Sequence, residues 1–391
     1  MTVVGAGPAG STTAYRLAGA GARVLLIDKA RFPGDKPCGG GISARAWQEL
    51  PIDPSPVVEH VVDKMELSFG GRRSFIRGGR RPLAHMTQRR CLDHFLVEQA
   101  ADAGAEFRDG VVTEASEQGV RVDGRFIASQ LIVGADGANG ATAKSLGLEN
   151  EREYGVALEG NLAHRDADPD RWLNTALIEL NTLPGGYCWV FPKGDHLNVG
   201  LGGWERTGPI LRRKLDEWSK QRGFDSSKLY GLRGYRLPGR RAGAPLARGR
   251  ALLVGDAGGL IDPLWGDGMY SAFLSSRLAA ETCLKFLAGE VSSLEEYASA
   301  LLAKLGSMMS FAWNAKIALD RFPRLAFAGV VSPPGWQMVE NSFIGVGEPA
   351  AGLGIGGLAV RGLEAWGRHR DWPGCEYRTE AETRQPTASS T

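Results

Sequence analysis

The chain has 391 residues, 43% of them hydrophobic and 23% charged, with a formal net charge of +2. That length suffices for two intertwined domains with sizeable cores, and the near-even charge balance gives no reason to expect nucleic acid as a partner. Five cysteines (Cys38, Cys91, Cys188, Cys283 and Cys375) form no Cys-x-x-Cys pair and six histidines show no ligand spacing; this argues against zinc, iron–sulfur or any other metal site and fits a reducing cytoplasm.

The first element is a short strand, Thr2 to Val4. Either neighbouring strands shelter it or the native start lies upstream. A signal peptide is not expected, because this strand already belongs to the fold, and no apolar run is long enough to span a bilayer. The strand runs into Gly5-Ala6-Gly7-Pro8-Ala9-Gly10, which opens a helix. Gly5 permits the tight turn, Gly7 lets a pyrophosphate approach the backbone, and Gly10 allows close packing of helix on strand; Pro8 and Ala9 complete the first turn. The next strand, Arg23 to Ile27, ends in Asp28, 18 residues past Gly10 and followed by Lys29. That is where the acid that binds a dinucleotide ribose belongs. The alternative is an α/β turn that holds no nucleotide.

A loop dense in glycine and proline follows, Lys29 to Gly41, carrying Cys38 and Gly39. Met65 to Phe75 reads as a hairpin through Gly70 and Gly71, crowded by Arg72, Arg73, Arg77, Arg80 and Arg81. A solvated face is the ordinary reading of such a run; a phosphate or phospholipid headgroup is the sharper one. Leu92 to Ala103 has the spacing of an amphipathic helix, preceded by Arg89 and Arg90. A second apolar strand leads into Gly134-Ala135-Asp136-Gly137, where Asp136 taken alone reads as a turn former before a ligand. From Tyr154 to Gly202 the pattern becomes short alternating strands, around residues 155–162, 176–180, 186–191 and 197–201. These form an antiparallel sheet expected to wall a substrate chamber. Within it Tyr187, Trp189 and Phe191 alternate and so share a face; by pattern alone, sheet core is the first reading.

Pro209 to Gly223 reads as a surface helix of charged composition. A third strand, Ala251 to Val254, runs into Gly255-Asp256-Ala257-Gly258. An acid placed there suits the ribityl hydroxyls of FAD, which NAD lacks. Asp262 to Met269 then precedes an apolar helix, Gly268 to Leu287. In that stretch Pro263, Gly266, Gly268 and Met269 are placed to meet the pyrimidine edge of a flavin, where the helix dipole favours negative charge. The last hundred residues read as helices. Phe322 to Val360 is apolar, fit for core or for a membrane surface, and Thr379 to Thr391 is a polar tail expected to be disordered. Gly345 to Ala350 imitates a nucleotide turn, but Pro349 argues against it, so no separate NAD(P)H domain is expected.

The order of the three nucleotide turns resembles the FAD-dependent aromatic hydroxylase superfamily. Lys36-Pro37-Cys38-Gly39-Gly40-Gly41 and Gly186-Tyr187-Cys188-Trp189-Val190-Phe191-Pro192-Lys193-Gly194-Asp195 resemble the geranylgeranyl reductase family, flavoenzymes that saturate carbon–carbon double bonds of isoprenoid chains. The resemblance runs from Thr2 to about Phe286. It implies an α/β fold in which residues 1–64, 82–152 and 237–290 form a Rossmann-like FAD-binding domain. Residues 65–81 and 153–236 would form an inserted antiparallel β-sheet substrate domain, residues 291–378 a helical region, and 379–391 the disordered tail. It also implies FAD as cofactor, with Arg89 approaching its phosphates; an exposed basic helix start is the alternative for Arg89.

By the same resemblance, Cys38 and Gly39 lie near the flavin ring, Cys38 as gate or proton source, or else as a buried small hydrophobe. The family usually carries Thr-Gly-Glu-Gly where this chain has Trp265-Gly266-Asp267-Gly268. Cys38, Trp265 and Asp267 are therefore the candidates for the reaction. Tyr187, Trp189, Phe191 and Trp265 become the lining of a tunnel for a prenyl lipid, in which the bulky Trp265 alters the accepted length. The electron donor would be NAD(P)H or a small redox protein such as a ferredoxin, and the place of action the cytoplasm with peripheral contact at a membrane. Residues Gly186 to Pro192 also resemble a stretch of flavin halogenases, so a flavin monooxygenase or halogenase is the alternative enzyme. A flavin-binding lipid carrier without catalysis is the alternative of another class.

Overall fold

The computed structural model describes residues 1–345 apart from 79, 80, 112, 150, 151 and 169, and residue 362 beyond them. At its centre is a six-stranded sheet in the order Ala247–Arg248, Ala251–Leu253, Ile132–Gly134, Thr2–Val4, Leu25–Ile27 and Glu106–Arg108. All neighbours are parallel except the Ala247–Arg248 edge. Val3 lies opposite both Val133 and Leu26, and Val133 opposite Leu252. The short first strand is thus sheltered on both edges, and its three residues are buried. This register brings the three glycine-rich turns, far apart in the chain, to the carboxyl ends of three adjacent strands, where open α/β sheets bind ligands.

Helix Pro8–Gly19 packs with Met269–Leu287 and the long helix Glu295–Arg321 in one core with this sheet. Helix Glu295–Arg321, at the start of the helical C-terminal region, buries Tyr297, Leu301 and Leu305 in that core. Residues 346–378 of that region, apart from 362, and the tail 379–391 lie outside the described residues, as do Arg80 and most of Gly345 to Ala350.

The second large sheet has seven strands, ordered Tyr230–Arg240, Arg152–Ala163, His196–Trp204, Tyr187–Pro192, Thr175–Leu180, Lys64–Phe69 and Arg73–Gly78. It is antiparallel save at one junction, where Thr175–Leu180 runs parallel to Lys64–Phe69. That junction joins the two insertions, which enter the sheet from different parts of the chain. The hairpin turns at Gly70 and Gly71, with φ of +57° and +69°, the left-handed region in which glycine is at no steric disadvantage. Leu211–Gln221 was expected as a charged surface helix from Pro209. It does lie on the surface, as a 3-10 turn through Pro209 that runs into the helix at Leu211, and it buries Leu211, Leu215 and Trp218 against the outer face of the sheet. Its charges occupy only the opposite face. The inner face is roofed by Pro323–Val331 and Pro333–Ile344, whose Phe327, Trp336 and Val339 share a core with Met65, Ile178 and Trp189.

Candidate active site

One cavity of about 710 Å³ runs from the nucleotide turns to the inner face of the seven-stranded sheet. At the nucleotide end it is lined by Gly5, Gly7, Pro8, Ala9, Asp28, Lys29, Arg89, Asp136, Gly137, Gly255 and Asp256. Gly5 has a φ of +105°, and a Cβ on Gly10 would fall 1.8 Å from the Gly5 carbonyl oxygen. Turn and helix can meet this closely only without side chains. The first N–H groups of helix Pro8–Gly19 lack acceptors within the helix, and no side chain caps them. A Cβ on Gly7 would meet only Lys36 Nζ and Arg89 Nη2, at 3.7 and 3.9 Å. A helix N-terminus flanked by two cations is a phosphate cradle.

Asp28 is 7% exposed and accepts from the Ala6 and Ala30 amides at 2.7 and 2.8 Å, with Lys36 Nζ at 3.9 Å. It orients the first turn as well as facing the cavity. Arg89 is no solvated helix start. Its guanidinium forks onto Asp93 with two bonds of 2.7 Å, and Arg90 is the exposed neighbour. Burial works against the Arg89 charge, but the Asp93 carboxylate outweighs it and holds the group firmly protonated. Asp136 serves the turn reading: Oδ2 accepts from the Thr142 amide and hydroxyl at 2.9 and 2.7 Å. Its buried Oδ1 has no partner among the described residues. Small-residue turns, a cation-flanked helix end and an orphaned carboxylate oxygen together fit FAD.

Beyond the nucleotide end, the loop carrying Cys38 and Gly39 faces Pro263, Trp265, Gly266, Asp267, Gly268 and Met269 across the cavity. Asp267 is committed. Oδ1 accepts from the Met269 and Tyr270 amides at 2.9 and 3.4 Å, capping the helix, while Oδ2 meets Arg45 Nη2 and Ser43 Oγ at 3.2 Å each. Arg45 also lies 3.5 Å from Asp262. Burial raises the Asp262 carboxyl, with Arg45 opposing the shift. The Trp265 ring packs on Phe343 with centroids 5.4 Å apart, and its carbonyl accepts from the Tyr187 hydroxyl.

Tyr187, Trp189 and Phe191 all line this cavity, and Trp189 also belongs to the sheet core, 4% exposed. Core and wall coincide because the inner face of the sheet is the wall. The Cys38 loop is pinned to it. Glu159 Oε1 accepts from the Cys38 amide at 2.6 Å, and Lys193 Nζ donates to the Gly39 carbonyl and to that of Thr87. Burial pushes the Cys38 thiol up and the Glu159 carboxyl up to about 7, and brings Lys193 down to about 8.

Sequence reasoning missed Glu159, Lys193, Tyr235 and Arg45. Lys193 stood in a recognised motif without a role. Glu159 carried one signal: strand alternation puts it on the face of Gly155 and Ala157, an inward position where an acid is out of place. Tyr235 and Arg45 carried none, since partners from distant segments define them. Among the described residues no group of His, Cys, Asp and Glu is arranged to hold a metal.

Residues 1–182 match the FAD binding domain family. A menaquinone reductase of Mycobacterium tuberculosis is 33% identical over 314 residues, which cover 72% of this chain and 75% of the relative. A digeranylgeranylglycerophospholipid reductase of Methanopyrus kandleri is 31% identical over 310 residues, 73% of this chain and 80% of the relative. Among solved structures, a geranylgeranyl bacteriochlorophyll reductase-like protein from Thermoplasma acidophilum has a TM-score of 0.73 at 22% identity, covering 98% of both chains. A flavin-dependent brominase reaches the same TM-score at 17% identity, over 94% of this chain and 99% of the other. Both show the shared fold. The protein is an FAD-dependent oxidoreductase of the aromatic-hydroxylase fold. Within that class the chain belongs to the geranylgeranyl reductase family.

Proposed function

We propose that this enzyme saturates carbon–carbon double bonds in the prenyl chain of a lipid or quinone. The observation that carries this reading is the continuity of the cavity: the nucleotide cradle opens onto a wall of Tyr187, Trp189, Phe191 and Trp265. Its facing acids, Asp262 and Asp267, are tied to Arg45. Alkene reduction requires a dry apolar wall and no base to activate a phenol. Bound FAD, once reduced, supplies hydride. The chain's own residues position the cofactor through the cradle, set the Cys38 loop against the ring's expected place, and exclude water.

The relatives named for prenyl-lipid and menaquinone reduction support the substrate class. No helix among the described residues is long and apolar enough to cross a membrane. Phe322 and Leu325, 49% and 72% exposed on the roof, support contact with a membrane surface from which such a chain enters. The electron donor is proposed to be NAD(P)H or a small redox protein.

The test is anaerobic photoreduction followed by addition of geranylgeranyl lipids or menaquinone. Flavin oxidation accompanied by saturated product supports the reading. Oxidation only after oxygen is admitted, with hydroxylated or halogenated product, replaces it with a monooxygenase or halogenase. A flavin that no addition oxidises leaves a lipid carrier.

A further inference from the structure

Saturating a double bond takes a hydride at one carbon and a proton at the other, and on the wall described above the oxygen acids are already engaged. The Tyr187 hydroxyl is used on the Trp265 carbonyl and Asp262 and Asp267 on Arg45, while Cys38 keeps its S–H but burial pushes that thiol up. We propose, resting on the function argued above, that Glu159 supplies this proton and delivers it through the hydroxyl of Tyr235.

The geometry is that of a relay. Ala157 and Tyr235 face each other on adjacent strands, and both line the cavity. Glu159, two residues on from Ala157, lies behind the cavity wall, 5% exposed. One carboxylate oxygen accepts from the Cys38 amide, and the other accepts from the Tyr235 hydroxyl at 3.5 Å; with the carboxyl protonated, the same contact lets it donate to the tyrosine oxygen and turn the hydroxyl proton toward the cavity. The groups that act on it are the Cys38 amide from the loop, Lys193 from the end of its strand, and Asn198 and Tyr235 from the sheet. Lys193 donates to the Gly39 and Thr87 carbonyls, so the carboxyl is not locked into a close ion pair. Burial keeps it protonated up to about 7. On the far side Asn198 donates to Asn161 at 3.2 Å, and Asn161 is partly exposed, so solvent lies within two side chains of the carboxyl.

The balance closes. The Tyr235 O–H bond breaks as a C–H bond forms at the substrate carbon. The Glu159 carboxyl proton moves to the tyrosine oxygen in the same step, so no tyrosinate accumulates, although burial holds that phenol well above its ordinary range. The negative charge comes to rest on Glu159, against the Cys38 amide and in the field of Lys193. Water returns the proton. The two electrons enter with the hydride from the reduced cofactor.

The test uses Glu159→Gln, which keeps an acceptor for the Cys38 amide, and Tyr235→Phe. Infrared titration of the apoprotein should show a protonated carboxyl that disappears as pH rises through about 7 and is missing in E159Q. In anaerobic single turnovers of the photoreduced holoenzyme with a geranylgeranyl lipid, both variants should slow flavin reoxidation by roughly 10²- to 10⁴-fold, the usual worth of a general acid. Substrate affinity should hold, and E159Q should lose the wild type's decline in rate above neutral pH. The proposal is overturned if E159Q reoxidises at the wild-type rate with the wild-type pH profile, if no carboxyl titrates near neutrality, or if only Cys38→Ala removes turnover. A wild type that stays reduced with every prenyl substrate while the carboxyl band is present overturns the proposed function, and with it this proton's destination, but leaves the titrating carboxyl identified.

Discussion

Replacing Gly39 by alanine should damage FAD binding through a single steric contact. A Cβ built on Gly39 falls 2.7 Å from both Cδ2 and Cε2 of the Phe191 ring. Ordinary carbon contacts begin near 3.5 Å, so loop or ring must move by nearly 1 Å. The loop cannot move freely, since Glu159 and Lys193 hold the Cys38 amide and the Gly39 carbonyl. The ring cannot either, because it packs against Trp189 with centroids 6.1 Å apart. Overpacking of this kind costs about 1–3 kcal/mol. If the strain is relieved by displacing the loop from the cofactor, the FAD dissociation constant rises about 5- to 150-fold. Gly41→Ala is the control, because its Cβ would sit 3.6 Å or more from the nearest Met86 and Ala84 atoms. Fluorescence titration of apoprotein with FAD, alongside thermal denaturation, reads the effect. Phe191→Leu in the G39A background should restore most of it. Wild-type affinity and melting in G39A, or a double variant no better than the single, would refute the claim that this contact sets the loop.

Three further outcomes follow from other parts of the site. Asp93→Ala strips the partner from partly buried Arg89, 13% exposed at the cavity wall; the melting temperature should drop, by less than the roughly 3–5 kcal/mol of a fully buried orphaned charge, and wild-type stability would sink that reading. For Glu159, the carboxyl titrates at about 7 in the folded chain against an ordinary 4.5, so the folded state keeps a proton that the unfolded chain has released. Wild-type stability relative to E159Q should therefore fall as pH rises between those values and level off above, by up to about 3 kcal/mol. A difference in melting temperature that ignores pH across this window contradicts it. Trp265→Thr removes the ring that packs on Phe343; longer prenyl chains should be turned over with FAD affinity unchanged, and product analysis across chain lengths decides.

The local chemistry of the nucleotide site was legible in the linear chain because it depends on neighbours in sequence. Gly5, Gly7 and Gly10 serve one strand–turn–helix junction, and the strand after it ends in Asp28 at the expected distance. The aromatic alternation of Tyr187, Trp189 and Phe191 was equally local, since strand parity alone puts them on one face. What they face was not. Whether that face is core or wall depends on the helices Pro323–Val331 and Pro333–Ile344 and on the Cys38 loop, each from another part of the chain. The parallel junction of Thr175–Leu180 with Lys64–Phe69 was likewise invisible, because pairing between distant strands leaves no periodic trace in either.

The same division governs the charged groups. Asp267 invited a catalytic reading from its motif, and only the fold brings Arg45 and Ser43 to its carboxylate. Arg89 looked equally suited to solvent, and only the fold shows its guanidinium paired with Asp93 and 13% exposed. Glu159 shows the limit most plainly. Its inward parity was written in the strand, but its acidity depends on burial, which raises the carboxyl against the opposing pull of the Cys38 amide, Lys193, Asn198 and Tyr235, groups brought together only by the fold. Sequence thus determined the cofactor cradle and the alternation of the wall. Tertiary structure decided which buried groups can carry a charge, because desolvation and charge pairing depend on distances in space.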